Sequence, residues 1–421
     1  MRRPKIFTTV QTYSWLLFRA DAVAGITVAM VAIPLSLAIA IASGADPGKG
    51  LITAIIGGFF ISLLGGSRVQ IGGPTGAFIV VVFGVIAEHG YDGLVLATLM
   101  AGIILLVAGF FRMGRLIAYV PEAVVNGFTI GIGIIIATSQ LRDFFGLTLE
   151  SVPADFIHKL PALWAVRDTA NLSALGIGAA TMFLIITFRR MAPKLPGLIV
   201  AVGIGSAAVA LMTLPVDTIA SRFGALPAHL PMPELPTITL EKLRELLPSA
   251  IVIAFLAGVE SLLSAMVADR MIQGQHRPNA ELLAQGAANV ASSFFGGMPA
   301  TGAIARTATN VNAGGRTPVA GLVHALAILL AMLLFASAAG YLAMPALAAL
   351  LLITAWRMSE PHKWGEYLSA PMTDRLLLLV TLTLTVLVDL TVAIGVGVSI
   401  GLALRLRSEK PPPADWNVPD H

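Results

Sequence analysis

From Ala20 onward the chain is a succession of apolar runs, many longer than the roughly 18 residues that carry a helix across a bilayer. Lipid offers the backbone no hydrogen-bond partners, so each such run reads as a spanning helix. Taken with their glycine, proline and charge breaks, the runs give about fourteen segments. They fall near 20–43, 50–66, 74–87, 91–111, 121–140, 171–188, 195–213, 247–268, 280–296, 299–312, 317–338, 341–356, 373–388 and 390–406. Only 12% of residues are charged, against about 25% in a soluble domain. The sequence therefore predicts an all-α polytopic membrane protein embedded in a lipid bilayer.

The charges follow the segments. Arg2, Arg3, Lys5 and Arg19 lie at the N-terminus. Arg68, Arg112, Arg115, Arg189, Arg190, Lys194, Arg270, Arg277, Arg316, Arg357, Lys363, Arg405 and Arg407 follow the even-numbered segments. The positive-inside rule makes those ends, and both termini, cytoplasmic. The 27 basic and 23 acidic residues give a net charge of +4 spread over short loops, which argues against nucleic acid as a partner. There is no cysteine, and no His or carboxylate cluster has ligand spacing, so neither a metal nor another cofactor is expected. No nucleophile with a base or phosphate loop suggests an enzyme.

Two of the segments, 3 and 10, are short for a full crossing, and they carry the same string. Gly72-Gly73-Pro74-Thr75-Gly76-Ala77 is echoed by Gly296-Gly297-Met298-Pro299-Ala300-Thr301-Gly302-Ala303, with Thr75-Gly76-Ala77 mapping onto Thr301-Gly302-Ala303 at an offset of 226 residues. Paired glycines and a proline cannot continue a helix but can open one, which predicts half-helices, the second starting near Pro299 or Ala300. Extended chain, Arg68 to Gly73 and Ser292 to Met298, would complete each crossing. Pro34 falls opposite Glu260 at the same offset, and Pro121 opposite Pro345 at 224. Seven segments per half force the second half to insert upside down, so the prediction is a 7+7 inverted repeat. Residues 1–213 form the first repeat and 247–407 the second. The proline-rich stretch 214–246 is an external linker, and 408–421 a disordered tail.

Half-helix N-termini present unpaired N–H groups and about half a positive charge each, so two facing one cavity make an anion site. Thr75 and Thr301 add hydroxyls, while Gly76, Ala77, Gly302 and Ala303 leave the backbone open. The plain alternative is that the small residues only let helices pack closely. Arg306, about six residues into segment 10, stands behind the anion, or else snorkels to the interface or pairs with a carboxylate. Phe78 is a cavity wall or a core aromatic. Glu260, mid-segment among apolar residues, couples protons to anion movement if it titrates as the cavity alternates; the alternatives are a fixed Glu260–Arg306 ion pair or a sodium ligand. His324, Asn126 and Asn289 read as interhelical hydrogen-bond partners.

At Ser67-Arg68-Val69-Gln70-Ile71-Gly72-Gly73-Pro74-Thr75-Gly76-Ala77-Phe78, at Arg277 to Asn289 leading into Met298 to Thr307, and at Val388 to Val398, the sequence resembles the sulfate permease (SulP) family, bacterial relatives of the animal SLC26 anion exchangers. The resemblance implies a core domain of segments 1–4 and 8–11 moving against a gate domain of segments 5–7 and 12–14. It implies an anion pocket at Thr75, Gly76, Ala77, Thr301, Gly302, Ala303 and Arg306, with Glu260 at the coupling position, in a bacterial inner membrane. Family members commonly continue into a cytosolic STAS domain, and none is read in this sequence. The expected function is proton-coupled symport of a small anion, with a lean to a dicarboxylate such as fumarate. Sodium-coupled bicarbonate uptake is one alternative, since similar family members carry an aspartate at the segment 8 position. Sulfate uptake, and a passive channel or exchanger, are others. A homodimer is compatible with all of these.

Overall fold

The computed structural model describes residues 3–114, 121–149, 153, 156–192 and 196–388, with 392–393, 395–397 and 399–400. Most of segment 14, Arg2, Arg115, Lys194, Arg405, Arg407 and the tail 408–421 lie outside the described residues. Ser14 caps the first long helix, α1 (Trp15–Ala42), which runs through Pro34. Pro47 opens α2 (Pro47–Leu64) in the first turn, where a missing N–H costs nothing. The chain then extends through a two-residue strand, β1 (Gly72–Gly73), makes a 3₁₀ turn at Gly76–Phe78 and enters α3 (Ile79–Phe110). Segments 3 and 4 are thus nearly continuous, separated by a break at Gly90 (φ 70°, ψ 179°). Helices α4 (Glu122–Phe145), α5 (Leu172–Met191) and α6 (Gly197–Leu211) complete the first half.

The second half repeats the order. Helices α7 (Leu240–Ile272) and α8 (Pro278–Phe294) precede β2 (Thr301–Gly302) and the short α9 (Ile304–Asn312). Then come α10 (Pro318–Ala339), α11 (Met344–Met358) and α12 (Met372–Leu387). Among the described residues seven helical spans are long and apolar enough to cross a membrane. The halves interlock where β1 pairs antiparallel with β2, Gly72 opposite Gly302 and Gly73 opposite Thr301. Around that cross, α1, α2 and α3 pack against α7, α8, α9 and α10, while α4 and α5 pack with α11 and α12. This is the inverted-repeat core and gate.

Several helix starts differ from expectation; α1 begins at Trp15 rather than near Ala20, behind its Ser14 cap. Helix α9 begins at Ile304 rather than near Pro299, because Thr301 and Gly302 are engaged in the strand pair and Ala303 N donates to the Ile71 carbonyl at 2.9 Å. Extended backbone therefore persists to Ala303, whereas Ser292 to Phe294 remain helical in α8. Helix α7 starts seven residues early, since the Thr239 side chain accepts from Lys242 N at 3.3 Å and Pro248 is accommodated within the helix. The linker is ordered. Ile219 N donates to the Leu342 carbonyl (2.9 Å), and Arg222 pairs with Asp143 (2.7 Å) and Asp217 (2.8 Å). Farther along, Glu234 N donates to the Phe294 carbonyl at 2.7 Å.

Candidate anion site

The extended run after α2 threads between α7, α8 and α9 and is held at most of its length. Gly66 N and Ser67 N donate to Glu281 (2.9 and 3.2 Å), and Ile71 N donates to the Thr307 hydroxyl (3.1 Å). The Val69 carbonyl accepts from Asn310 at 2.8 Å. A buried strand of this kind needs such partners, because each lost hydrogen bond leaves a desolvated group. The run delivers Thr75 to the position where a helix N-cap would sit. Its hydroxyl does not cap the turn; it donates to Glu260 Oε2 at 2.8 Å.

On the other side of the cross, Arg306 lies in the first turn of α9, not six residues in, because that helix starts late. Arg306 is 1% exposed, and its Nη2 donates to the Ser36 hydroxyl on α1 at 3.1 Å. Nε and Nη1 have no hydrogen-bond partner. Among the described residues no ion pair joins Arg306 to Glu260, so the two charge-bearing groups flank the site without neutralising each other directly. Gly73 makes room for this arrangement. Its φ of +151° favours glycine, and a Cβ there would collide with Arg306 Nη1. Neither α9 nor the turn after Thr75 has a side-chain cap, leaving first-turn N–H groups at both starts.

Thr75, Gly76, Ala77, Glu260, Ala303 and Arg306 line one cavity of about 2330 Å³. Asn126, Phe128 and Thr129 of α4 and Ile353, Arg357 and Met358 of α11 line its gate side. Three of the residues read from sequence as site residues stand behind this wall. Phe78 is buried. Thr301 is buried too, its hydroxyl donating to the Ala257 carbonyl at 2.8 Å. Gly302 faces Gln70, which occupies the place a Cβ would need, so this glycine admits a side chain rather than a ligand. Asn289 does hold backbone, bonding Ala300 through both its amide nitrogen (2.8 Å) and its oxygen (2.9 Å). Asn126, expected to bond between helices, lines the cavity, and His324 is buried with neither ring nitrogen hydrogen-bonded.

Sequence reasoning missed Ser36, Gln70, Ser261 and Glu281. The last has a faint signal in Gln285, four residues on and bonded to it at 2.8 Å across one helical turn.

The profile of the sulfate permease family matches residues 18–381. The chain belongs to that family. It is 43% identical, over 87% of its length, to YvdB of Bacillus subtilis (strain 168), whose name assigns it provisionally to sulfate transport; the match covers 69% of YvdB. It is 32% identical, over 75% of its length, to the bicarbonate transporter BicA of Picosynechococcus sp. (strain ATCC 27264 / PCC 7002 / PR-6), covering 57% of that protein. The solved transmembrane domain of a cyanobacterial BicA superposes with a TM-score of 0.79 at 29% identity, covering 91% of this chain and 99% of that one. Murine Slc26a9, solved in an inward-facing state, shares the fold at a TM-score of 0.87 and 17% identity, over 97% of this chain and 72% of that one. The family is one of membrane anion transporters.

Proposed function

We propose that the protein is a secondary active transporter that carries a small oxyanion, alternating the site between the two sides of the membrane by moving core against gate. One observation carries the reading: two uncapped helix starts, Arg306 with its Nε and Nη1 unbonded, and the Thr75–Glu260 pair all border one cavity. Buried donors without partners are costly, and an anion satisfies them. Arg68, Arg270, Arg357 and Lys363 line the same cavity. By the positive-inside rule that end is cytoplasmic, so this conformation is open inward.

Glu260 is the coupling group in this reading. A threonine hydroxyl donates to a carboxylate and accepts from a carboxylic acid, so the Thr75–Glu260 bond survives in either protonation state. A proton gained on one side and lost on the other then accompanies the anion. The names of the relatives favour sulfate or bicarbonate as cargo. A dicarboxylate such as fumarate is the competing substrate, and a sodium ion the competing coupler.

The test is uptake of radiolabelled sulfate, bicarbonate and fumarate into liposomes carrying the purified protein, with an inward proton gradient, an inward sodium gradient, or neither. Accumulation of one anion driven by protons is expected. Accumulation only with sodium would reassign Glu260, and rapid conductive flux without accumulation would replace the transporter by a channel.

A further inference from the structure

The buried carboxylate of Glu281 does not line the cavity, yet both sides of the Thr75–Glu260 contact trace back to it. Glu281 is 0% exposed and lies in the first turn of α8. Its Oε2 accepts from Gly66 N (2.9 Å) and Ser67 N (3.2 Å), and its Oε1 from the Ser261 hydroxyl (2.9 Å) and Gln285 Nε2 (2.8 Å). Four donors fill the acceptor sites of one carboxylate, so each of its oxygens is satisfied where water does not reach. The chain of bonds continues in one direction. Gln70 Nε2 donates to the Ser261 hydroxyl at 2.8 Å and to the Ser261 carbonyl at 3.2 Å.

These contacts bracket the site. Gly66 and Ser67 begin the extended run that ends at Thr75, and Gln70 holds its middle. Ser261 is the neighbour of Glu260 on α7, about 100° round the helix, so fixing Ser261 against Glu281 fixes the direction in which Glu260 points. Gln70 in turn fills the notch at Gly302, which ties the same network to β2. One carboxylate therefore sets the start of the run bearing Thr75, the rotation of the helix bearing Glu260 and, through Gln70, the seat of the strand before Arg306.

We propose that Glu281, acting through Ser261 and Gln70, is a positioning residue that aligns Thr75 and Glu260 for the transported anion. The inference rests on the proposed function, in which Thr75 and Glu260 face the anion.

The experiment uses the full chain in liposomes and whichever of sulfate, bicarbonate and fumarate the wild type accumulates. Glu281→Gln keeps the shape but sets an amide NH₂ against two donors. It is expected to raise KM about tenfold, while maximal rate per folded protein changes less than about threefold. Ser261→Ala should raise KM in the same direction and Ser261→Thr, which keeps the hydroxyl, should restore it; this pair decides if Glu281→Gln does not fold. In a double-mutant cycle the Glu281→Gln effect should shrink to about threefold or less in a Thr75→Ala background, the mark of residues acting as one unit. An unchanged KM with only a lower melting temperature, or an equal KM rise in both backgrounds, would overturn the proposal. Failure of the underlying reading is seen separately: Thr75→Ala and Glu260→Gln alone would then leave KM and gradient dependence untouched.

Discussion

The two Thr-Gly-Ala strings share a sequence and a topological position, and they do different jobs. After Gly73 the first repeat turns into helix at once: Thr75 stands at the cap position, its hydroxyl reaches Glu260, and Gly76 and Ala77 line the cavity. The second repeat stays extended through Ala303, so Thr301 and Gly302 are spent on the strand pair and on Gln70. Only Ala303 of that string lines the cavity, and the repeat contributes a guanidinium instead. A difference of about two residues in where the helix begins thus gives one half a hydroxyl and a carboxyl partner and the other half a fixed positive charge. Inverted repeats supply matched backbone; the register of each helix start decides which chemistry the backbone presents.

Arg306→Ala strikes the second half hardest. Two hydrogen bonds to a charged group, each contributing about 1.5–3 kcal/mol, are at stake, so anion affinity should fall by roughly 100-fold or more in equilibrium binding; unchanged affinity would remove Arg306 from the pocket. Glu260→Gln tests the carboxyl that the first string's Thr75 reaches. It should abolish gradient-driven accumulation while anion exchange between equal pools persists, and retained proton-driven accumulation would end the coupling role.

Two glycine substitutions separate the strings more finely. Gly302→Ala drives a Cβ into Gln70 and should destabilise the fold by about 1–3 kcal/mol, read as a lower melting temperature. Gly76→Ala instead places its Cβ 3.2 Å from Met358 Sδ and 3.4 Å from Ile136 Cδ1, both in the gate. It should leave the melting temperature nearly unchanged and slow uptake. The smallest effect is expected of Thr301→Ala, which loses one buried hydrogen bond of about 1 kcal/mol without altering KM. If Thr301→Ala shifts KM as Thr75→Ala does, the two strings are equivalent after all.

The fold was legible because long apolar runs, proline breaks and alternating charge each mark a membrane crossing locally. Pro47, Pro278 and Pro318 open helices in their first turns, as such prolines should. The site was legible where a residue type is costly in lipid: Arg306 and Glu260 announce themselves. It was illegible where the meaning of a residue depends on a partner on the order of 200 positions away. Nothing near Gly302 says that Gln70 will fill its notch, and a start at Pro299 follows from local rules that ignore the competing strand pair. Glu281 and Ser261 escaped for the same reason. Near the end of a spanning segment, a glutamate reads as interfacial until the donors of Gly66 and Ser67 are folded onto it.

The pairing of Gly72 with Gly302 also fixes the order in which the molecule can be assembled. The two glycines are 230 positions apart, and at about 5–20 residues per second the ribosome needs roughly 10–50 seconds to reach the second after releasing the first. Until then β1 has no strand to pair with, and Gly66 and Ser67 lack the carboxylate that accepts their N–H groups in the finished fold. The first half must therefore wait in a provisional arrangement that the second half later unlocks, so a slow or mistimed second half exposes the nascent protein during synthesis, before any defect in the finished transporter could be felt.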